Sequence, residues 1–151
     1  MRWLWHVFKT VLGLLFRHPV AGTSIIPILP SGEVVLIRRR DNGRWSLPGG
    51  MVDWGEDITT TVARELREET GLEVQQIGRL VGIYSSPERD PRLHSICIVV
   101  EVAAQGRMQV QDRLEVMEVR AFPPSLLPLG ELSHDHDRQL QDYFSGLTVL
   151  A

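Results

Sequence analysis

Glu65, Glu68 and Glu69 stand at i, i+3 and i+4. On a helix that spacing puts three carboxylates on one face, where like charges repel unless a counter-charge sits among them. Arg64 is one such partner, and Glu56 lies a few residues upstream. A single guanidinium cannot balance four carboxylates, so a bound divalent cation is the natural remainder. The acidic stripe also borders an apolar stripe of Ile58, Val62 and Leu66 that must face a core. Acids beside a core are costly unless paired or coordinated to metal. Carboxylates helped by a backbone carbonyl from a glycine loop form an all-oxygen set, which suits Mg²⁺ or Mn²⁺ better than zinc. Magnesium couples readily to phosphate oxygens, so the expected substrate is a diphosphate or polyphosphate.

The elements that must position these groups follow from local pattern. Ile58 to Thr70 reads as the helix, with Asp57 as N-cap and Gly71 past its end. Before it, Trp45-Ser-Leu-Pro-Gly-Gly50 reads as a loop in which backbone can approach a ligand closely. Trp45 and Trp54 flank it, suited to core packing or to base stacking. Thr23–Leu29 and Val34–Arg39 read as strands joined by a Pro30-Ser31-Gly32 turn, with a second turn at Asp41-Asn42-Gly43. Leu72–Val74, Gly78–Tyr84, Ser95–Ala103 and Glu115–Phe122 read as further strands, Pro123–Pro128 as a loop, and Asp135–Phe144 as a closing helix. This order predicts an α/β (α+β) fold with a mixed sheet between helical layers.

The run Gly50, five residues, Glu56, seven residues, Arg64-Glu65-Leu66-Arg67-Glu68-Glu69-Thr70-Gly71-Leu72 resembles the complete box of the Nudix hydrolase family, with every defined position filled. The resemblance implies an α/β/α sandwich around a mixed sheet that hydrolyses a nucleoside diphosphate linked to another moiety, using Mg²⁺ or Mn²⁺. Carried over position by position, it makes Glu65, Glu68, Glu69 and the Gly50 carbonyl metal ligands, while Glu56 and Arg64 pair and orient the cluster. Water would be the nucleophile. Its general base is left open among Glu65, Glu68 and an acid from a later loop, for which Glu115 is the candidate.

The segment Pro87-Glu88-Arg89-Asp90-Pro91-Arg92 resembles a loop of the ADP-ribose pyrophosphatase branch, although Leu93 stands where that branch usually has a small residue. It implies that Arg89 and Arg92 grip phosphate or the terminal ribose and that Tyr84 stacks a base. Arg40, in the run Arg38-Arg39-Arg40 followed by Arg44, could line the phosphate entrance or simply end a strand. The best expectation is ADP-ribose cleaved to AMP and ribose 5-phosphate. The alternatives are a (d)NTP pyrophosphohydrolase acting on an oxidised nucleotide and a non-catalytic nucleotide sensor. His134-Asp135-His136-Asp137 contains ligand-type residues, but a helix N-cap at Ser133 or Asp135 with acids in the first turn explains it.

The 151 residues, 43% hydrophobic, suffice for one core, and a net charge of -3 speaks against a nucleic-acid polymer as partner. Positive charge comes from fifteen Arg and the single Lys9. Cys97 is the only cysteine, lies in an apolar run and fits a reducing, cytoplasmic compartment. Residues 1–20 carry +3 with no acid, leaving -6 for residues 21–151, the expected hydrolase domain. From Arg2 to Arg17 the apolar residues share one wide arc of a helix, stopped by His18-Pro19. That arc suits docking on the domain, a homodimer contact, or peripheral membrane contact.

Overall fold

The computed structural model describes residues 2–16 and 18–151, apart from the side chains of Arg2 and Phe16. In chain order the elements are α1 (Arg2–Phe16), β1 (Val20–Ile28), β2 (Val34–Arg39), β3 (Trp45–Ser46), α2 (Ile58–Thr70), β4 (Glu73–Tyr84), β5 (Ser95–Gln105), β6 (Val116–Phe122), α3 (His136–Ser145) and β7 (Val149–Leu150). The strands form one mixed sheet of order β3-β2-β1-β5-β4-β7, with β6 on β2. β1 and β5 run parallel from Val20 opposite Ser95 to Ile28 opposite Ala103, while β4 and β5 are antiparallel.

Burial on both faces explains why the central strands read as continuous apolar runs. Successive side chains leave a strand on opposite sides. Ile25 therefore joins Val62, Leu66 and Leu72 under α2, and Ile26 joins Val81, Tyr84 and Leu140 toward α3. The helical layers of the expected sandwich are α2 and α3.

α2 spans the residues read from the sequence. The Asp57 carboxylate accepts the Thr60 N–H, and Gly71 ends the helix with φ 77° while donating to the Arg67 carbonyl. A Cβ at Gly71 would stand 2.6 Å from the Gln109 carbonyl oxygen, so both backbone angle and space demand glycine. The two expected strands 72–74 and 78–84 are one bulged strand, β4, because its register against β5 shifts in several places without breaking the ladder. β3 and β7 have two residues each and pair only through tertiary contacts, too little sequence to carry a period.

The divergence of β1 from β2 creates the setting for the site. These strands pair only at Ile28 opposite Val34, and the edge of β1 thus freed takes the glycine loop. The Thr23 and Ile25 amides donate to the carbonyls of Gly50 and Pro48, and the Val52 amide donates back to Ala21. The loop is therefore bonded along its length to a central strand.

Candidate active site

Arg64 holds the acidic cluster together. Its Nε and Nη2 donate to Glu56 Oε1 and Oε2, both at 2.9 Å, and its Nη1 donates to Glu65 Oε1 at 2.6 Å. The Met51 carbonyl accepts from Nη2 at 3.2 Å, while Asp53 and Glu68 carboxylates lie 3.6 Å away. The bidentate bond with Arg64, with help from the Thr61 hydroxyl, holds the Glu56 carboxyl down to about 2. Glu56 is thus a permanently ionised brace for the guanidinium.

Glu69 is in the opposite situation. It is 3% exposed, and the one hydrogen bond found for its carboxylate is from the Gly49 N–H at 2.8 Å. Burial pushes its carboxyl up to about 8, against the lowering effect of that N–H. Burial also raises Glu65, opposed by Arg64. A nearly buried acid with no salt-bridge partner among the described residues, and only the Arg39 charge nearby, is a site that favours added positive charge.

The loop glycines let these acids come close. A Cβ on Gly50 would run into the Glu65 carboxylate, and one on Gly49, where φ is 152°, would strike the Thr23 carbonyl. The Gly50 carbonyl accepts from the Thr23 amide at 2.8 Å and, at a longer 3.5 Å, from the Thr23 hydroxyl, a contact a metal ion could displace. Glu65, Glu68, Gly50, Arg64 and Glu115 line one cavity of about 690 Å³ together with Arg39, Arg40 and Asp112. The sequence suggested three glutamates converging on one point. In the structure Glu65 turns to Arg64 and Glu69 to Gly49, and among the described residues no three His, Cys, Asp or Glu side chains surround a common point as they stand. The donor set, oxygen throughout, fits a hard divalent cation in its chemistry.

The other expected site residues divide. Glu115, just before β6, is brought across from Glu65 and raises the carboxyls of Glu65 and Glu69 further as a like charge, behind the larger effect of burial. Arg40 lies on the rim, donating its backbone N–H to the Glu115 carbonyl and its Nε to that of Arg113. Arg92 is half exposed in the same cavity but is paired bidentately with Asp90. Arg89 is not the open phosphate grip expected. Nε and Nη2 are bound to both Asp135 oxygens and Nη1 to Ser95, because a guanidinium sunk to 10% exposure needs its own carboxylate.

Tyr84 requires a full correction. Its ring is 1% exposed in the core on the α3 side and its hydroxyl donates to Asp142, so it cannot stack on a bound base. Alternation along β4 turned it inward, and the apolar ring stayed with the core. Trp45 is half-buried and packs edge-on against Phe122, whereas Trp54 is fully exposed.

Sequence reasoning missed the part played by His136. Its Nδ1 accepts the Leu47 N–H at 3.0 Å, tying α3 to the start of the glycine loop as a neutral imidazole. Burial lowers it to about 3. Nor does the Asp135 side chain cap α3, since it is engaged by Arg89 and Gln139, and Asp137 instead accepts from the Gly130 and Leu132 amides. His134, with φ 53°, joins Ser24, Arg39, Arg89, Cys97 and His136 around a narrower recess of about 160 Å³ that shares Gly49 and Gly50 with the larger cavity. Only tertiary contacts bring these residues together, so no spacing in the sequence could have signalled them.

Comparison with known proteins agrees with this geometry. Residues 18–143 match the NUDIX domain family. The chain is 37% identical over 134 residues to an ADP-ribose pyrophosphatase of Methanocaldococcus jannaschii, covering 85% of this chain and 75% of that protein. It is 29% identical over 125 residues to a putative 8-oxo-dGTP diphosphatase of Bacillus subtilis, covering 83% and 80%. Among solved structures, a MutT NUDIX hydrolase from Burkholderia pseudomallei superposes with a TM-score of 0.72 at 26% identity, covering 83% of this chain and 98% of that one. The NUDIX domain of Shewanella oneidensis NrtR complexed with ADP ribose has the same fold, with a TM-score of 0.78 at 23% identity over 89% and 92% of the two chains. The filled acidic box, the glycine loop fastened against it and a family match across most of the sequence establish that this chain belongs to the Nudix hydrolases, as a pyrophosphohydrolase.

Proposed function

We propose that the chain hydrolyses ADP-ribose to AMP and ribose 5-phosphate, with Glu65, Glu68, Glu69 and the Gly50 carbonyl holding Mg²⁺ or Mn²⁺. The observation that carries the reaction is the cavity lined by Glu65, Glu68, Glu115 and the Gly49-Gly50 backbone, large enough for a nucleotide diphosphate, with the nearly buried Glu69 bonded behind it to the Gly49 N–H. The choice of ADP-ribose is supported by the Methanocaldococcus jannaschii relative. When bound, the cation would neutralise diphosphate oxygens and lower the pKa of a water molecule.

The chain's own residues supply the rest. Arg64, braced by Glu56, restrains Glu65 and reaches toward Glu68. Glu65, Glu68 or Glu115 would take the proton from the attacking water, and Glu115 comes to the site from a different part of the chain than the two helix acids. Arg40, whose guanidinium has no carboxylate partner among the described residues, stands at the cavity wall for the substrate's negative charge, whereas Arg39 is held bidentately by Asp41. The narrower recess next to the glycine loop would take one end of the substrate.

A second reading, pyrophosphohydrolysis of an oxidised nucleotide, draws on the Bacillus subtilis relative. The deciding assay supplies the purified protein and Mg²⁺ with ADP-ribose, 8-oxo-dGTP and other nucleoside diphosphate derivatives, and follows products by chromatography. AMP and ribose 5-phosphate from ADP-ribose, formed faster than any product from 8-oxo-dGTP, is the expected result. Preference for 8-oxo-dGTP would replace the substrate assignment. Tight binding by calorimetry with no product over hours would overturn hydrolysis in favour of a sensor.

A further inference from the structure

Among the described residues, the apolar arc of α1 has no cover. From Leu12 at 36% to Trp3 at 75%, every large apolar side chain described in this helix is exposed, including Leu4, Trp5, Phe8 and Leu15. The expectation that the arc docks on its own domain therefore fails in this structure. The arc is also unusually wide. Plotted at about 100° per residue, the apolar positions from Trp3 to Phe16 occupy about 220° of the circumference. A helix packed on a domain presents a stripe little more than about 100° wide, and a two-helix seam is narrower still. A second α1 would leave much of the arc in water. A continuous apolar medium would not.

Charge narrows the occupant further. Residues 1–20 carry +3 with no acid and the remainder carries -6, so the helical end is the part of the chain that an anionic surface attracts. Lys9 plots at the border of the arc, and its Nζ lies 5.4 Å from the Trp5 ring centre. Its stem thus runs beside the apolar face while its charge stays on the polar side, as in a side chain that snorkels to headgroup level. Trp3, Trp5 and Phe8 are residue types that favour the membrane interface. With 15 residues, α1 is about 22 Å long, short of the hydrocarbon thickness, and no described helix is long and apolar enough to cross a membrane. The geometry is that of a helix lying in the plane of the interface.

We infer that α1 anchors the enzyme peripherally to an anionic lipid surface, its arc sunk among the acyl chains and Lys9 at the phosphates. α1 is separate from the catalytic cavity, so this inference is independent of which substrate is cleaved.

Co-sedimentation of the full chain with vesicles tests it. The protein should pellet with mixed phosphatidylcholine and phosphatidylglycerol vesicles, and less with phosphatidylcholine alone or at high salt. Trp5→Glu with Phe8→Glu should lower vesicle affinity by about tenfold or more. Lys9→Glu should reduce affinity for the anionic vesicles by about tenfold. Both variants should keep their turnover in solution, which also verifies that they fold. Failure of the unaltered chain to pellet with anionic vesicles would overturn the inference, as would equal binding by the glutamate variants. Concentration-dependent dimerisation by light scattering that is lost in Trp5→Glu/Phe8→Glu, without vesicle binding, would assign the arc to a second copy of the chain instead.

Discussion

Glu69 shows how one residue joins core packing to chemistry. It shares α2 with Leu66 and Val62, points into nearly dry surroundings, and takes one N–H from Gly49. Its raised carboxyl follows from desolvation, which the Gly49 N–H and the Arg39 charge offset only in part, so a cation bound there displaces a proton near neutral pH. Glu69→Gln keeps the shape and an oxygen for the Gly49 N–H while removing the charge. The metal-free variant should melt at or above the parent temperature at pH 8.5, because the cost of burying an ionised acid is gone. The stabilisation by Mg²⁺ seen in the parent should largely disappear, and turnover should fall by on the order of 100-fold or more. A metal-free variant that melts well below the parent would show that Glu69 serves packing instead. The glutamate spacing was legible in the sequence because helix periodicity alone aligns i, i+3 and i+4. The depth of Glu69 relative to Glu68 was not, because it depends on what the sheet and glycine loop place over the helix.

At the scale of elements, the site is α2 pressed on the sheet opposite a loop fastened to β1. Val62 and Leu66 are fully buried, so the acids on the neighbouring stripe are aimed by the same contacts that fill the core. Leu66→Ala should cost about 2–5 kcal/mol in urea unfolding, the usual range for emptying such a position. The cavity it leaves also lets α2 shift, so KM for Mg²⁺ should rise in the folded variant. An unchanged KM for the metal would show that the loop, and not α2 packing, aims the carboxylates. Both caps of α2 were readable because Asp57 and Gly71 act on their own neighbours. The attachment of the loop to Thr23 and Ile25 and the support of Leu47 by His136 join residues far apart in the chain, and their sequence carries no mark of it.

For the whole molecule, two buried groups set opposing slopes of stability against pH. His136 falls from 6.5 to about 3 on folding, so the unfolded chain takes up its proton first and stability is lost as pH drops below 6.5. Glu69 rises from 4.5 to about 8, so the folded chain keeps its proton longer and stability is lost as pH climbs above 4.5. Between 4.5 and 6.5 the two slopes cancel. In EDTA the urea midpoint should therefore be level across that window and fall on either side, with the acid side steepened by Glu56 and Asp90, both held near 2 by arginine. Each buried group contributes up to about 1.4 kcal/mol per pH unit. Mg²⁺ should restore the midpoint at pH 8.5 by binding the ionised Glu69. A midpoint in EDTA that keeps rising to pH 8.5 would contradict the burial assigned to this residue.

Local order settled much of this protein in advance: the acidic helix and its caps, the glycine loop, the alternation of strands with helices, and a resemblance that named the reaction class. The helix, its caps, the loop and the alternation are decided within a few residues of one another, by backbone geometry and by the spacing of like charges, whereas the reaction class came from the resemblance. Tertiary structure alone decided that Arg89 is committed to Asp135, 46 residues away, whereas Arg92 and Arg39 are held by the nearby Asp90 and Asp41. It also decided that Tyr84 belongs to the core and that His136 supports the loop. It left the arc of α1 uncovered. A polar or aromatic side chain takes its role from whichever partner the fold brings within reach, and that partner is usually distant in the chain.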